Sequence, residues 1–245
     1  MDGFAGKRIW IIGASAGIGA ALARALAGQG ARLILSARSE GDLAQLAKEC
    51  GGAEVLALDL GQRDTLADAV RRLGGGAPLD AVICTAAMYD PSRVADLDPE
   101  RTETLVRVNL LGTLDVARLV PPLLRDGGQL VLFGSVAGYL GLPKGQAYSA
   151  TKAAIINLAE SLRIELAPRV DVRLVCPGFV RSRLTDKNDF TMPALMEPGD
   201  AATAILKGLS GRAFEIHFPK RFTYGLKLLR ALPYALSLRL TGRLG

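Results

Sequence analysis

Three glycines, Gly13, Gly17 and Gly19, separate an apolar run from an alanine-rich run, and this junction constrains the fold more than any other part of the sequence. The apolar residues 9–12 predict a buried strand, and residues 20–27 predict a helix that begins beneath the glycines. Glycine allows a tight turn and a close approach of backbone to a ligand. Because a helix N-terminus has free N–H groups and a positive dipole end, the junction predicts a pyrophosphate site.

The rest of the chain repeats this alternation. Apolar runs predict strands at residues 8–12, 32–36, 55–58, 80–84, 129–133, 172–176 and about 214–217. Helical stretches are predicted at about 17–28, 40–49, 63–73, 101–125, 147–167 and 199–209, with Pro121 and Pro122 ending or kinking the fourth. The pattern predicts an α/β fold: a single-domain, doubly wound (Rossmann-type), mostly parallel sheet of about seven strands with helices on both faces.

A tyrosine and a lysine, Tyr148 and Lys152, lie four residues apart in the helix predicted at 147–167. Residues at this spacing share one helix face. A phenol titrates near pH 10 in water, and a neighbouring cation favours the phenolate, so we expect a lowered pKa for Tyr148. The pair predicts a general acid/base. Taken alone, it also fits a half-exposed helix face.

Six motifs, in order, resemble those of the short-chain dehydrogenase/reductase family in its form of about 250 residues, and the resemblance covers residues 7 to about 210. The motifs are the Gly13/Gly17/Gly19 turn, Asp59-Leu60, Asn109 in Val108-Asn109-Leu110-Leu111-Gly112, Ser135 thirteen residues before the tyrosine, the Tyr148/Lys152 pair, and Pro177-Gly178-Phe179-Val180-Arg181-Ser182. The resemblance implies hydride transfer between a nicotinamide dinucleotide and a carbonyl or alcohol carbon.

The resemblance also implies roles for individual residues. Tyr148 would donate the proton and Ser135 would hold the substrate oxygen; Lys152 would lower the tyrosine pKa and hold the ribose, and Asn109 would steady a water. Ser135 also fits simple turn chemistry, and Asn109 fits a helix-interior group that bonds backbone. The implied cofactor contacts are Gly13, Ser15, Gly17, Ile18, Gly19, Arg38, Ser39, Asp59, Leu60, Thr85, Ala86, Ala87, Tyr148, Lys152, Pro177, Gly178, Val180 and Ser182.

One segment departs from the family pattern, since Cys84-Thr85-Ala86-Ala87 stands where Asn-Asn-Ala-Gly is usual. The missing amide groups would have steadied the strand beside the cofactor, so another group must satisfy this backbone, and Thr85 can do part of it. The departure keeps open an alternative function, a catalytically silent NAD(P)-binding sensor or scaffold on the same fold.

The end of the second predicted strand bears on cofactor preference. An acid there would bind both ribose hydroxyls of NAD and repel a 2′-phosphate, but this chain has Ala37 followed by Arg38. Ser15 and Ser39 each offer a further hydroxyl. We therefore predict NADP(H), with NAD(H) as the weaker alternative, although Arg38 also fits a solvated loop side chain.

Two other kinds of chemistry fit less well. Residues 13–17 match the Gly-x-Ser-x-Gly nucleophile elbow of hydrolases, with His217 downstream, but that interpretation leaves Tyr148 and Lys152 without a role. With one histidine and three distant cysteines we expect no metal site. The same cysteine pattern predicts reduced thiols and a cytoplasmic protein.

The end of the chain differs in composition. From residue 214 onward, six basic residues stand against one acid, Glu215, with leucines and aromatic residues interleaved. We predict an NADP-binding catalytic Rossmann-type domain over 1–212 and a basic, apolar C-terminal extension of the same domain over 213–245. This extension fits peripheral membrane contact, packing on a partner subunit, or burial on its own core. Nucleic acid also fits the charge, but no recognition module accompanies it, and we expect none to bind.

The substrate is less accessible from sequence. Segments expected to line the pocket are mostly apolar: residues 88–89, 136–142 and 183–196, with Phe179. They predict a small hydrophobic carbonyl or alcohol, although they also fit a lid that only closes over the cofactor. The family resemblance implies a homo-oligomer, a dimer or a tetramer.

Overall fold

A parallel sheet of seven strands forms the centre of the computed structural model, which describes residues 3–242. The strands are β1 (Arg8–Ile12), β2 (Arg32–Ser36), β3 (Glu54–Val55), β4 (Leu79–Cys84), β5 (Leu124–Phe133), β6 (Val170–Pro177) and β7 (Glu215–Phe218). Their order is β3-β2-β1-β4-β5-β6-β7, and every neighbouring pair is parallel. The strand order reverses between β1 and β4, which is where sheets of this kind bind ligands.

Helices cover both faces of the sheet. They are α1 (Gly17–Ala27), α2 (Glu40–Glu49), α3 (Arg63–Gly74), α4 (Pro99–Val106), α5 (Gly112–Leu119), α6 (Gln146–Glu165), α7 (Pro198–Ser210), α8 (Lys220–Ala231) and α9 (Tyr234–Thr241). Successive strand side chains point to opposite faces. Ile9 and Ile11 of β1 therefore lie in the core under α1, α2 and α7, whereas Trp10 and Ile12 lie in the core under α3, α5 and α6. The predicted fold class is confirmed.

Two predicted elements differ from the structure. The helix expected over 101–125 is divided, because a π-helical segment, Arg107–Leu111, joins α4 to α5, and the helical run ends before Pro121. The strand expected over 55–58 is assigned only to Glu54–Val55. The ladder nevertheless continues, since the N–H groups of Leu56 and Leu58 donate to carbonyls of Leu35 and Ala37 at 3.0 and 3.1 Å.

The predicted extension over 213–245 begins as part of the sheet. Its first segment is β7, paired with β6, and α8 and α9 follow as far as Gly242; positions 243–245 lie outside the described residues. Helix α8 buries Thr223 and Leu226 against the protein. Within residues 3–242, every helix is too short or too polar to cross a bilayer.

Candidate active site

The glycine junction forms a tight loop at the carboxyl end of β1. Gly13 has a φ of 94°, and a Cβ there would lie 2.5 Å from the backbone nitrogen of Ala86, so only glycine fits. A Cβ on Gly19 would overlap the Gly13 carbonyl oxygen. Helix α1 begins at Gly17 without a side-chain cap, which leaves N–H groups of its first turn available to an anion. These features fit the pyrophosphate of a dinucleotide.

Thr85 fastens this loop to the end of β4. Its hydroxyl lies 3.1 Å from the Ile12 carbonyl oxygen and 2.9 Å from that of Gly13, and its N–H donates to Ile12 at 2.8 Å. The expectation that Thr85 replaces part of the missing amide chemistry is therefore confirmed. The preceding Cys84 is buried, and burial raises the pKa of its thiol to about 11, so it stays neutral.

Two elements bring together Ser135, Tyr148 and Lys152. Ser135 lies two residues beyond β5, and its Oγ accepts a hydrogen bond from the Ala137 N–H at 3.1 Å. Tyr148 and Lys152 share one face of α6, with the lysine Nζ 5.6 Å from the centre of the tyrosine ring. The Nζ of Lys152, a residue only 2% exposed, donates to the Phe133 carbonyl at 2.8 Å.

The pKa of Tyr148 differs from the sequence expectation. Its ring lines the cavity and is half-buried, and removal from water raises the pKa to about 12, while the Ser135 hydroxyl acts in the opposite direction. Burial lowers the pKa of Lys152 to about 8. The predicted lowering of the tyrosine pKa is therefore wrong, because removal from water outweighs the hydrogen bond from Ser135. At neutral pH the phenol keeps its proton.

A cavity of about 570 Å³ opens beside these three residues. Seven of the predicted cofactor contacts also line it, namely Ile18, Thr85, Ala87, Pro177, Gly178, Val180 and Ser182. Much of the remaining wall is apolar and comes from Val136, Leu142, Phe179, Phe190, Phe222 and Leu226. The carboxyl ends of β1, β4, β5 and β6 all meet here, as expected for parallel strands.

Asn109 lies elsewhere, in the π-helical segment. It is fully buried; its side-chain amide donates to the Met88 carbonyl at 2.9 Å, and its oxygen accepts from the Met88 N–H at 2.7 Å. The Thr113 hydroxyl donates to the Asn109 carbonyl at 2.6 Å. In this structure the side chain therefore holds the loop after β4 and does not line the cavity.

The remaining predicted contacts surround the glycine loop. Arg38 is exposed two residues beyond β2, at the same sheet edge, and forms no ion pair within the described part of the chain. Ser39 caps α2 by accepting from the Asp42 N–H at 3.3 Å. Asp59 accepts from the Gly61 N–H at 2.8 Å. Three further predicted residues are placed as follows: Leu60 is buried in the core, Ser15 is half-buried in the loop, and Ala86 packs beside Gly13.

Residues 183–196 supply part of the cavity wall, and we call this segment the lid. Polar contacts hold it against Tyr89. Tyr89 packs edge-on against Tyr148 with ring centres 4.9 Å apart, and its hydroxyl donates to Asn188 at 2.8 Å. Lys187 donates to the Tyr89 carbonyl at 2.7 Å. Sequence patterns predicted that residues 88–89 and 183–196 line the pocket. They did not predict these hydrogen bonds, because the bonds join residues about a hundred positions apart.

Two residues of α8, Phe222 and Leu226, were missed by sequence reasoning. They line the cavity, and Phe222 lies 5.9 Å from the Phe179 ring. Their i, i+4 spacing in the extension was the available signal. The sequence left three placements open for the extension: a membrane, a partner subunit or the protein's own core. The Phe222/Leu226 face of α8 packs on the protein's own core. His217 bonds the Thr223 hydroxyl at 2.6 Å, and the described residues contain no His/Cys/Asp/Glu group arranged for a metal ion.

The fold and the junction define a class, the Rossmann-type nucleotide-binding α/β proteins. Within that class, the chain belongs to the short-chain dehydrogenase/reductase family, because residues 7–192 match the family described as short chain dehydrogenase. The chain is therefore an oxidoreductase of this family.

Three similar proteins cover nearly the whole chain. An uncharacterized oxidoreductase of Myxococcus xanthus (strain DK1622) is 34% identical over 232 residues, which are 91% of each chain. A short-chain dehydrogenase from Burkholderia cenocepacia J2315, solved in complex with NADP, is 28% identical with a TM-score of 0.86, over 98% of this chain and 99% of that one. A short-chain dehydrogenase from Sphingobium yanoikuyae, solved with NADPH, is 29% identical with a TM-score of 0.79, over 94% and 97%.

Proposed function

We propose that the chain is an NADP(H)-dependent reductase or dehydrogenase that acts on a small hydrophobic carbonyl or alcohol, with Tyr148 as general acid/base. The observation that carries this proposal is that one cavity is lined by Ser135, Tyr148 and Lys152 together with Ile18, from the first turn of α1. A proton donor, an oxygen-binding hydroxyl and a nucleotide site then meet around one substrate volume.

The preference for NADP(H) rests on charge at the loop after β2. Arg38 is exposed there, at the edge where the glycine loop lies, and Ala37 occupies the position of the acid that favours NAD. A guanidinium can bind a 2′-phosphate through two parallel hydrogen bonds. The similar proteins solved with NADP and NADPH support the same preference. When bound, the nicotinamide supplies or accepts the hydride.

The chain's own residues supply the proton chemistry. Because the Tyr148 phenol stays protonated, it can donate to the substrate oxygen during reduction. The Ser135 Oγ accepts from the Ala137 N–H, and its own O–H, which lies against the Tyr148 phenol, is the donor that would hold that oxygen. Lys152 uses one of its three N–H donors on Phe133, and its charge stabilises the phenolate that remains after transfer.

The cavity wall supports an apolar substrate. Phe179, Phe190 and Phe222 contribute aromatic surface, and the Phe179 and Phe190 rings lie 5.6 Å apart. The lid contacts of Tyr89 close the cavity on the side of the Tyr148 ring, which limits water around the reacting oxygen. The homo-oligomeric state and the cytoplasmic location expected from the sequence stay predictions.

The test is a panel of hydrophobic ketones and aldehydes with NADPH, followed at the nicotinamide absorbance. The expected result is turnover by the wild-type protein and its loss in Ser135→Ala, with NADPH affinity unchanged in that variant because Ser135 is assigned to the substrate oxygen. Tight NADPH binding without turnover of any panel member, nor of the matching alcohols with NADP, would favour the silent sensor or scaffold.

A further inference from the structure

Helix α9 is oriented with its polar face inward. Ser237 and Thr241 are buried, at 6% and 4% exposure, whereas Tyr234 and Leu238 are 71% and 61% exposed. This is the reverse of a helix that packs on a soluble core. The neighbouring α8 adds two more exposed side chains. We define the α8–α9 surface as the exposed apolar residues Tyr224, Leu228, Tyr234, Leu236, Leu238 and Leu240.

Positive charge surrounds this surface. Lys220, Arg221, Arg230 and Arg239 are all exposed around it, and residues 216–242 contain no acidic side chain. Lys227 is the exception among the basic residues, because it pairs with Glu215 at the start of β7. The exposed face therefore combines six large apolar side chains with cations that lack an acidic neighbour in their own segment.

A second copy of the chain is a poor fit to this face. In a twofold interface the same patch meets itself, so a patch with four exposed cations would face another patch with the same four cations. Like charges across an interface are unfavourable. An anionic bilayer supplies both an apolar layer for the leucines and headgroups of opposite charge for the basic residues. No helix in residues 3–242 spans, so contact is with the interface alone.

We propose that the α8–α9 surface binds the interface of anionic membranes. The two helices lie flat, with leucine and tyrosine side chains at the boundary of headgroups and acyl chains and the basic residues among the phosphates. The opposite face of α8 carries Phe222 and Leu226 on the cavity wall. The bound bilayer therefore lies about one helix diameter, ~10 Å, from the cavity.

Sedimentation of the full chain with lipid vesicles tests this proposal. We expect binding to phosphatidylcholine vesicles that contain about one quarter phosphatidylglycerol, weak binding to pure phosphatidylcholine, and loss of binding at high salt. Each basic residue at a membrane surface contributes about fivefold to the affinity, so the double variant Arg230→Gln/Arg239→Gln should bind about twenty-fivefold more weakly. Arg72→Gln, an exposed arginine on α3, is the matched control and should bind as the wild type does.

A second pair of variants tests the apolar half of the surface. Leu236→Ser/Leu238→Ser should lose vesicle binding while keeping its far-UV circular dichroism, because both side chains are exposed. Ile164→Ser, at an 81% exposed position on α6, is the control. The proposal is overturned if wild type ignores anionic vesicles, or if the arginine pair binds like its control. Light scattering that shows a dimer dissociated by Leu236→Ser/Leu238→Ser would instead assign the surface to a second copy.

Discussion

Replacing Lys152 by methionine should stabilise the folded protein at neutral pH while removing activity. The lysine is 2% exposed, and burial lowers its pKa from 10.5 to about 8. That shift corresponds to about 3 kcal/mol of unfolding free energy spent on keeping the charge buried. Methionine has a similar shape and no charge, but it leaves the Phe133 carbonyl without its charged 2.8 Å donor, a loss of about 2 kcal/mol. The net expectation at pH 7 is a gain of about 1 kcal/mol.

The stability difference between wild type and Lys152→Met should depend on pH. Because the folded-state pKa is lower than the unfolded one, the unfolded chain holds more protons between pH 8 and pH 10.5. The free energy of unfolding of the wild-type protein therefore rises with pH through that window. The methionine variant has no titrating group at this position and lacks this rise. The difference between the two proteins should fall by about 3 kcal/mol between pH 7 and the upper end of the window.

Urea unfolding followed by far-UV circular dichroism, at several pH values, measures this difference. Lys48→Met on the exposed face of α2 is the control and should change little at any pH. A Lys152→Met variant that is less stable than wild type at pH 7, with a difference that does not depend on pH, would refute the reasoning. Lys152 would then be stabilising in its charged form.

Three further predictions concern activity and binding. The kcat/KM for carbonyl reduction should be flat below about pH 8 and fall above it, because Lys152 loses its charge there while Tyr148 keeps its proton to about pH 12; a profile flat to pH 10 contradicts this. Arg38→Asp should weaken NADPH binding about tenfold to a hundredfold and favour NADH, as measured by fluorescence titration, and an unchanged preference would exclude Arg38 from the phosphate site. Phe222→Ala should raise KM for bulky apolar substrates about tenfold in steady-state assays, since Phe222 lines the cavity, and should leave the NADPH Kd alone; equal KM values would place the substrate elsewhere.

Local patterns predicted most of the fold. The alternation of apolar runs with helical stretches located the sheet, because a strand buried on both faces needs continuous apolar sequence. The glycine junction could also be predicted from the sequence. Gly13 and Gly19 have no room for a side chain, so the positions require glycine and the pattern is visible. The i, i+4 spacing placed Tyr148 and Lys152 on one face of α6.

Features that depend on contacts between distant residues could not be predicted from the sequence. The spacing of apolar residues does not change at the π-helical segment, so the sequence pattern does not reveal it. Its Asn109 side chain is hydrogen-bonded to Met88, twenty-one positions away. The direction of the Tyr148 pKa shift depends on how fully the fold encloses the ring, which spacing to Lys152 does not reveal. The contribution of α8 to the cavity required knowing that β7 returns the chain to the sheet beside β6.

The central claim, that Tyr148 is the general acid/base, is tested most directly by the turnover number of Tyr148→Phe with NADPH and the best ketone of the panel. Tyr234→Phe is the matched control, because it removes a phenol that is 71% exposed on α9 and lies outside the cavity that Tyr148 lines. We predict a loss of about 10²- to 10⁴-fold for Tyr148→Phe, with NADPH Kd nearly unchanged and the control close to wild type. Ordinary turnover by Tyr148→Phe, with NADPH bound normally, would contradict the assignment.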